Sequence, residues 1–129
     1  MKRQFSRGSL LRGAVPIAIL ILLIATVALA ESRCPTTTKV ISSPNPSVPY
    51  ESVTVTATVT CDYHAVPDGG TVNFYTKYGW IGSGTTVNGE VSVTTVFDEK
   101  GSYVIRADYS GVQIWRPSKG HTRQYVREE

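Results

Sequence analysis

The sequence predicts an all-β protein, an antiparallel sandwich of about seven strands that follows a short N-terminal segment. The clearest observation is residues 52–61, in which apolar residues and threonines alternate without a break, as in a strand with one buried face. Clusters of turn residues then recur at roughly the 8–12-residue spacing of a β-sandwich. No stretch after residue 30 has helical periodicity.

Residues 1–30 are predicted to be a cleaved signal peptide. Four basic residues precede an uncharged apolar run over residues 17–30, which is shorter than the ~20 residues that span a bilayer. Residues 28–30, Ala-Leu-Ala, form a small-x-small cleavage signal, so the mature protein should begin at Glu31. The alternative is that residues 14–30 stay uncut as an N-terminal membrane anchor.

Removal of this leader changes the charge of the chain. Of 13 basic residues, four lie in the leader: Lys2, Arg3, Arg7 and Arg12. Residues 31–129 therefore carry nine basic and ten acidic residues, a formal charge of −1. Phosphate binding needs a retained basic surface, so we expect no nucleic-acid partner. Residues 31–129 are enough for one small domain.

Turn and loop residues between the predicted strands support the same fold. The predicted strands cover residues 39–41, 52–61, 71–75, 80–82, 91–95, 103–109 and 121–126. Prolines at positions 44 and 46 forbid regular pairing and make a loop. The pair Asn88 and Gly89 is the strongest two-residue hairpin signal. The last strand is polar, which suits an exposed edge.

The two cysteines lie beyond the export signal, and an oxidising compartment favours their pairing. If Val40 lies opposite Val55 in an antiparallel pair, then Cys34 lies opposite Cys61 on the core-facing side. Opposed Cβ atoms in such a pair lie ~4.5–5.5 Å apart, close to the reach of a disulfide. The alternatives are two free thiols, or a lipid anchor at Cys34, which the preceding Arg33 disfavours.

The order of several short segments carries a family resemblance. They are residues 45–47 (Asn-Pro-Ser), 53–59 (Val-Thr-Val-Thr-Ala-Thr-Val), 70–75 (Gly-Thr-Val-Asn-Phe-Tyr), 88–89 (Asn-Gly), 101–103 (Gly-Ser-Tyr), 107–111 (Ala-Asp-Tyr-Ser-Gly) and 117–118 (Pro-Ser). This order resembles the bacterial Ig-like domains (repeat type, group 3) of extracellular and cell-surface proteins. The resemblance covers nearly all of residues 36–126. It implies one Ig-like domain over residues 31–129 and no particular activity.

The same resemblance implies a structural role for one tyrosine. Tyr103 follows Gly101 at the position of a tyrosine corner, whose hydroxyl bonds to nearby backbone at a crossing between sheets. We expect its side chain to be buried. Ile105 stands where an antibody domain has its second cysteine, so the usual bond between the sheets is not expected.

Three aromatic residues, Tyr75, Tyr78 and Trp80, surround the turn at residues 77–79. If they are exposed, they form a binding surface that could stack on sugar rings or anchor a protein contact. The other interpretation, which we favour, is that Trp80 fills the core of the sandwich or covers its end.

No cofactor, metal or catalytic site is predicted. The two histidines, His64 and His121, lack zinc-type ligand spacing. The acidic turn residues do not form a calcium-loop motif. They are Asp68, Asp98, Glu99 and Asp108. The serines and threonines lie in strands, without a nucleophile-elbow or phosphate-loop pattern.

Two function classes remain, both of them outside the cytoplasm, in a secreted or cell-surface protein. The first is a non-catalytic module for adhesion or for interaction with a surface protein or glycan. The second is a structural subunit of a surface filament or envelope layer that self-assembles through edge strands, for which the polar last strand is the candidate. Membrane contact is expected only through residues 14–30, if they stay uncut.

Overall fold

The computed structural model describes residues 33–128, and the predicted leader lies outside them. Cys34–Glu129 is one compact unit. Among the described residues, no helix has the length and apolar character needed to cross a membrane.

Within residues 33–128, eight strands follow one another, and one of them has only two residues. They are β1 (Thr37–Ser43), β2 (Ser52–Cys61), β3 (His64–Ala65), β4 (Thr71–Thr76), β5 (Gly79–Thr85), β6 (Glu90–Val96), β7 (Gly101–Tyr109) and β8 (Ser118–Val126). All strand pairs are antiparallel. In the first sheet β2 is central, with β1 on one side and β3 and β6 on the other. The second sheet has the order β5-β4-β7-β8. The predicted antiparallel sandwich is confirmed.

The central strand β2 has the residue bounds that its alternation predicted. Its core-facing residues are between 0% and 6% exposed: Val53, Val55, Ala57, Val59 and Cys61. Burial of one valine side chain stabilises the fold by about 1.5–3 kcal/mol, so this face anchors the first sheet. The second sheet covers it with larger side chains, of which Phe74, Ile105 and Tyr109 are the bulkiest fully buried apolar residues.

The pairing of β1 with β2 differs from the predicted register. Val40 lies opposite Ala57, not Val55, so the prediction is wrong by two residues. A shift of two residues leaves every side chain on its own face of the sheet, so the hydrophobic pattern fits either register. The loop over residues 44–51, which joins the two strands, determines the register instead.

The turn at Asn88 and Gly89 forms, but it is not the tip of a long hairpin. Both residues have positive φ, 54° and 75°, as a type I′ turn requires. Val87 and Glu90 exchange two backbone hydrogen bonds of 3.1 Å across it. Beyond that pair the chain diverges, because β5 and β6 belong to different sheets. The turn therefore carries the chain from one sheet to the other.

The edge of β8 is covered, which contradicts the expected exposed edge. Asn45, in the loop between β1 and β2, donates from Nδ2 to Arg123 O (2.8 Å) and accepts at Oδ1 from Tyr125 N (3.0 Å). Ser47 N donates to Tyr125 O (2.9 Å), and Arg127 N donates to Ser47 O (2.8 Å). These bonds occupy backbone groups that an added strand would need.

Candidate binding face

Side chains on the outer face of the second sheet line up across all four strands. Tyr75 in β4 lies opposite Trp80 in β5 and Arg106 in β7, and Arg106 lies opposite His121 in β8. We call these four residues the transverse row. Neighbouring strands lie about 4.8 Å apart, so the row is ~14 Å long. One end is aromatic, with Trp80 61% exposed, and the other end is basic.

A β-bulge turns Trp80 toward solvent. Phe74 pairs with Gly82, but the next residue, Tyr75, pairs with Trp80, so Ile81 is an extra residue in β5. Plain alternation would give Trp80 the same orientation as Gly82, which faces Val93 inside the sandwich. The extra residue reverses that orientation. The favoured interpretation of Trp80 as a core residue is therefore wrong, and Ile81 packs against the core instead.

Arg106 is the fixed centre of the transverse row. Its guanidinium carbon lies 4.9 Å from the centroid of the Tyr75 ring, a cation–π arrangement. Its Nε lies 2.9 Å from Asp108 Oδ1. That ion pair lacks the alignment of a hydrogen bond, because Asp108 Oδ1 is buried without a hydrogen-bond partner among the described residues. The aromatic ring and the carboxylate thus hold the guanidinium group, while half of the Arg106 side chain stays exposed.

Beside Arg106, a shallow cavity of about 330 Å³ opens on the outer face of β7 and β8. It is lined by Val104, Arg106, Lys119, Gly120 and His121. The basic end of the transverse row is therefore concave.

Tyr78 does not join this face. Its ring lies 6.3 Å from the ring of Tyr103, at the end of the sandwich, and Lys77 Nζ lies 5.1 Å from its centroid. The Tyr103 ring in turn lies 4.6 Å from that of Phe97. The predicted aromatic surface of Tyr75, Tyr78 and Trp80 is therefore divided between two places. Tyr78 lines a separate cleft of about 350 Å³ that also includes Ile81, Phe97 and Tyr103.

Tyr103 makes the bond that is typical of a tyrosine corner. Its hydroxyl donates to Glu99 O at 2.7 Å. The side chain is half-buried, not buried as we expected, because the cleft keeps one side of the ring open. Burial is the largest influence that raises the pKa of Tyr103, and the nearby Tyr78, Glu99 and Asp98 raise it further.

The disulfide between Cys34 and Cys61 is confirmed, although by another geometry than the predicted strand pair. The two Cα atoms are 6.3 Å apart. Cys34 precedes β1 and pairs with the connection between β7 and β8: its N donates to Ile114 O (2.8 Å), and its O accepts from Arg116 N (3.0 Å). Trp115, in the same connection, packs against the core. The disulfide thus fastens this connection to the end of β2.

The described residues contain one cluster with metal-ligating atoms, and its sulfurs are already bonded. The cluster consists of Cys34, Cys61 and Asp62. Disulfide sulfurs are not thiolates, which are the form that binds metals. His64 and His121 are both exposed and lie in different sheets.

Sequence reasoning missed Arg106 and His121 as members of the binding face. Both occupy outward positions in strands whose residues alternate in burial, so the alternation alone could have predicted that their side chains face solvent. Their alignment with Tyr75 depended on the registers of three strand pairs, which no single segment specifies.

Two antiparallel four-stranded sheets form a β-sandwich among the described residues. The model of the bacterial Ig-like domain (group 3) matches residues 37–127, and the chain belongs to that family. Among solved structures, a CARDB domain from Pyrococcus furiosus, in complex with di-metal ions, is similar with a TM-score of 0.54 and 14% identity. The match covers 71% of this chain and 87% of that chain, and it shows the fold alone. A search of curated protein sequences finds no match.

Proposed function

We propose that the chain is a non-catalytic interaction module that works outside the cytoplasm, secreted or at the cell surface, and binds a surface protein or glycan. The observation that carries this proposal is the transverse row. Trp80 is 61% exposed and shares a row with Tyr75 and Arg106, and tryptophan and arginine are enriched among residues that dominate binding energy. Trp80 and Arg106 occupy the same solvent-facing side of one rigid sheet.

The disulfide supports a location outside the cytoplasm. Cystines persist in oxidising compartments and are rare in the cytosol. The basic N-terminal segment and the apolar run over residues 17–30 agree with export. Most members of the transverse row suit binding better than catalysis, since the guanidinium group is a hydrogen-bond donor without acceptor atoms and the indole of Trp80 has no ionisable group.

A binding assay on the full chain tests the proposal. The protein, produced by export, is applied to an array of cell-surface glycans and purified surface proteins. Trp80→Ala should weaken binding about tenfold or more, as expected for an anchoring aromatic residue. Tyr63→Ala is the matched control, because Tyr63 is fully exposed in the turn between β2 and β3, away from this face. Binding that is insensitive to Trp80→Ala, or no binding on the array, would contradict the proposal.

A second candidate function is self-assembly through an edge strand, and one observation favours β5 for it. With the edge of β8 covered, β5 is the other edge of the second sheet. Its sequence, Gly-Trp-Ile-Gly-Ser-Gly-Thr, has no charged residue and no proline, the usual protections of an edge. Sedimentation at high protein concentration tests this candidate. Assembly that is abolished by Ser83→Lys would support it, and a monomer at all concentrations would exclude it.

A further inference from the structure

We propose that the ligand of the transverse row is an acidic glycan, whose carboxylate binds Arg106 and Lys119 and whose sugar ring packs on Trp80. This inference rests on the proposed function and adds the chemical class of the ligand.

Arg106 is prepared to bind a carboxylate. Its Nε forms an ion pair of 2.9 Å with Asp108 Oδ1, and its guanidinium carbon lies 4.9 Å from the centroid of the Tyr75 ring. Half of the side chain is exposed, so a ligand can reach the guanidinium group from solvent. A planar guanidinium group binds a carboxylate through two parallel N–H···O bonds. Because the side chain is already held, binding costs little of its conformational entropy.

The charge of this face complements an anion. The outer face of β7 and β8 carries three basic residues and one acidic residue: Arg106, Lys119 and Arg123 against Asp108. His121 adds an exposed imidazole. The outer face of the first sheet is different, because hydroxyl side chains dominate it and Lys39 and Glu90 balance each other. The basic surface is therefore local, on a chain whose residues 31–129 are formally −1.

The aromatic end of the row distinguishes a glycan from a simple anion. Trp80 stands two strands from Arg106, ~10 Å along the row, so a ligand that meets both must be longer than a single carboxylate or phosphate group. The apolar face of a sugar ring packs on an exposed indole. Each uronic acid residue of an oligosaccharide carries a carboxylate, so one such chain can place a ring on Trp80 and a carboxylate at Arg106. The cavity of about 330 Å³ beside Lys119 accommodates the anionic part of such a ligand.

The experiment is calorimetric titration of the full chain with an oligosaccharide of galacturonic acid and with its methyl-esterified form, which has the same rings without the charges. The acid form should bind at least about tenfold more tightly than the ester, and more weakly as the ionic strength rises. Arg106→Ala should reduce the affinity about tenfold or more, and Arg106→Lys should restore part of it. Trp80→Ala should weaken both forms.

Two controls separate this inference from a general charge effect. Lys39→Ala removes one positive charge from the opposite sheet and should leave the affinity unchanged. Inorganic polyphosphate should bind no better to the wild type than to Trp80→Ala. The acidic-glycan inference would be overturned by any of three results. These are equal affinity for the acid and the ester, an equal loss of affinity in Lys39→Ala and Arg106→Ala, or no binding of the acid form. Trp80-dependent binding to the cell-surface array would then leave the proposed function standing, and its absence would remove both.

Discussion

The two open sides of the sandwich are closed in different ways. On one side, which we call the zipped side, β1 faces β8, and hydrogen bonds run along the contact. Thr38 Oγ1 lies 2.6 Å from Ser118 Oγ, Thr36 Oγ1 lies 2.7 Å from the same atom, and the loop over residues 44–47 covers the rest of β8. On the other side, the cleft side, β5 faces β6. There, packing of glycines against valines brings the sheets together, and the cleft over Tyr103 stays open.

This difference teaches that polar character in a strand does not by itself predict exposure. β8 has the polar sequence expected of a free edge, but Gln124 is fully buried. β5 is uncharged, and among the described residues no strand pairs with its outer edge. What matters is whether another segment supplies partners for the backbone of the strand, and the loop over residues 44–47 does so only for β8.

Loss of the disulfide should have the largest effect on the zipped side. The bond closes a loop with a sequence separation of 27, so the Cys34→Ala/Cys61→Ala protein should lose about 3.5 kcal/mol of stability in the chain-entropy model. Urea unfolding measures this loss. Hydrogen exchange should also become faster at Arg116, whose amide bonds to Cys34 O, than at β5. An unchanged midpoint would show that the segment before β1 is held without the disulfide.

The next largest effect is expected from alanine substitution of two strand glycines, one on each side of the sandwich. The substitution on the zipped side should cost more stability than the one on the cleft side. A Cβ on Gly120 would clash with the backbone carbonyl of Thr38, which cannot move without moving β1. Gly120→Ala should therefore cost about 3 kcal/mol. A Cβ on Gly84 would lie 2.6 Å from Cγ1 of Val91, a side-chain atom, so Gly84→Ala should cost about 1 kcal/mol. Chemical denaturation of both variants measures the two losses of stability. A larger loss for Gly84→Ala than for Gly120→Ala would contradict the proposed difference between the two sides.

Gln124→Leu tests whether the buried amide fastens the loop of the zipped side. The Nε2 group donates to Pro44 O at 2.9 Å and lies 3.2 Å from Ser47 Oγ. A leucine of similar size leaves these acceptors without a partner, but it also removes the buried Oε1, which has no hydrogen-bond partner among the described residues, so the net cost should be about 1 kcal/mol. Arg123→Ala, at the neighbouring outward position, should change stability by less than about 0.5 kcal/mol. Similar losses in the two variants would mean that the amide bonds contribute little.

The strand content and the buried faces were predictable, because alternation is a local property of each segment. β2 was predicted with its bounds, and its five core positions are buried. The orientation of Trp80, the position of Cys34 beside Trp115 and the cover over β8 were not predictable. Each depends on contacts between segments that are distant in sequence: a bulge relative to β4, a parallel bridge and a loop.

Two tyrosines of β7 provide a smaller test, on the cleft side and in the core. Tyr103→Phe removes the bond to Glu99 O and should cost about 1 kcal/mol. Tyr109 is its matched control, since its ring is 2% exposed and its buried hydroxyl has no hydrogen-bond partner among the described residues. Tyr109→Phe removes that unpaired group and should be neutral or stabilising. Equal urea midpoints for the Tyr103→Phe protein and the wild type would show that the corner bond does not stabilise the fold.

The smallest expected effect is the response of the same two tyrosines to alkali. Burial is the largest cause that raises the pKa of Tyr103 and the cause that raises the pKa of Tyr109, so each phenol loses its proton less readily in the folded chain than in the unfolded chain. The unfolded state therefore releases these protons first as the pH rises. The contribution of each tyrosine to stability is complete below the ordinary tyrosine pKa of about 10, and it is lost as the pH rises from there through the folded-state value.

Urea midpoints at about pH 8 and about pH 10.5 check this response, because these values lie on either side of the ordinary tyrosine pKa. The wild-type urea midpoint should be lower at the higher pH than at the lower pH. This fall should be smaller in Tyr103→Phe and in Tyr109→Phe. Tyr63→Phe, at a fully exposed position, is the control for the substitution itself. An alkaline fall that is the same in all four proteins would mean that neither tyrosine of β7 titrates differently on unfolding.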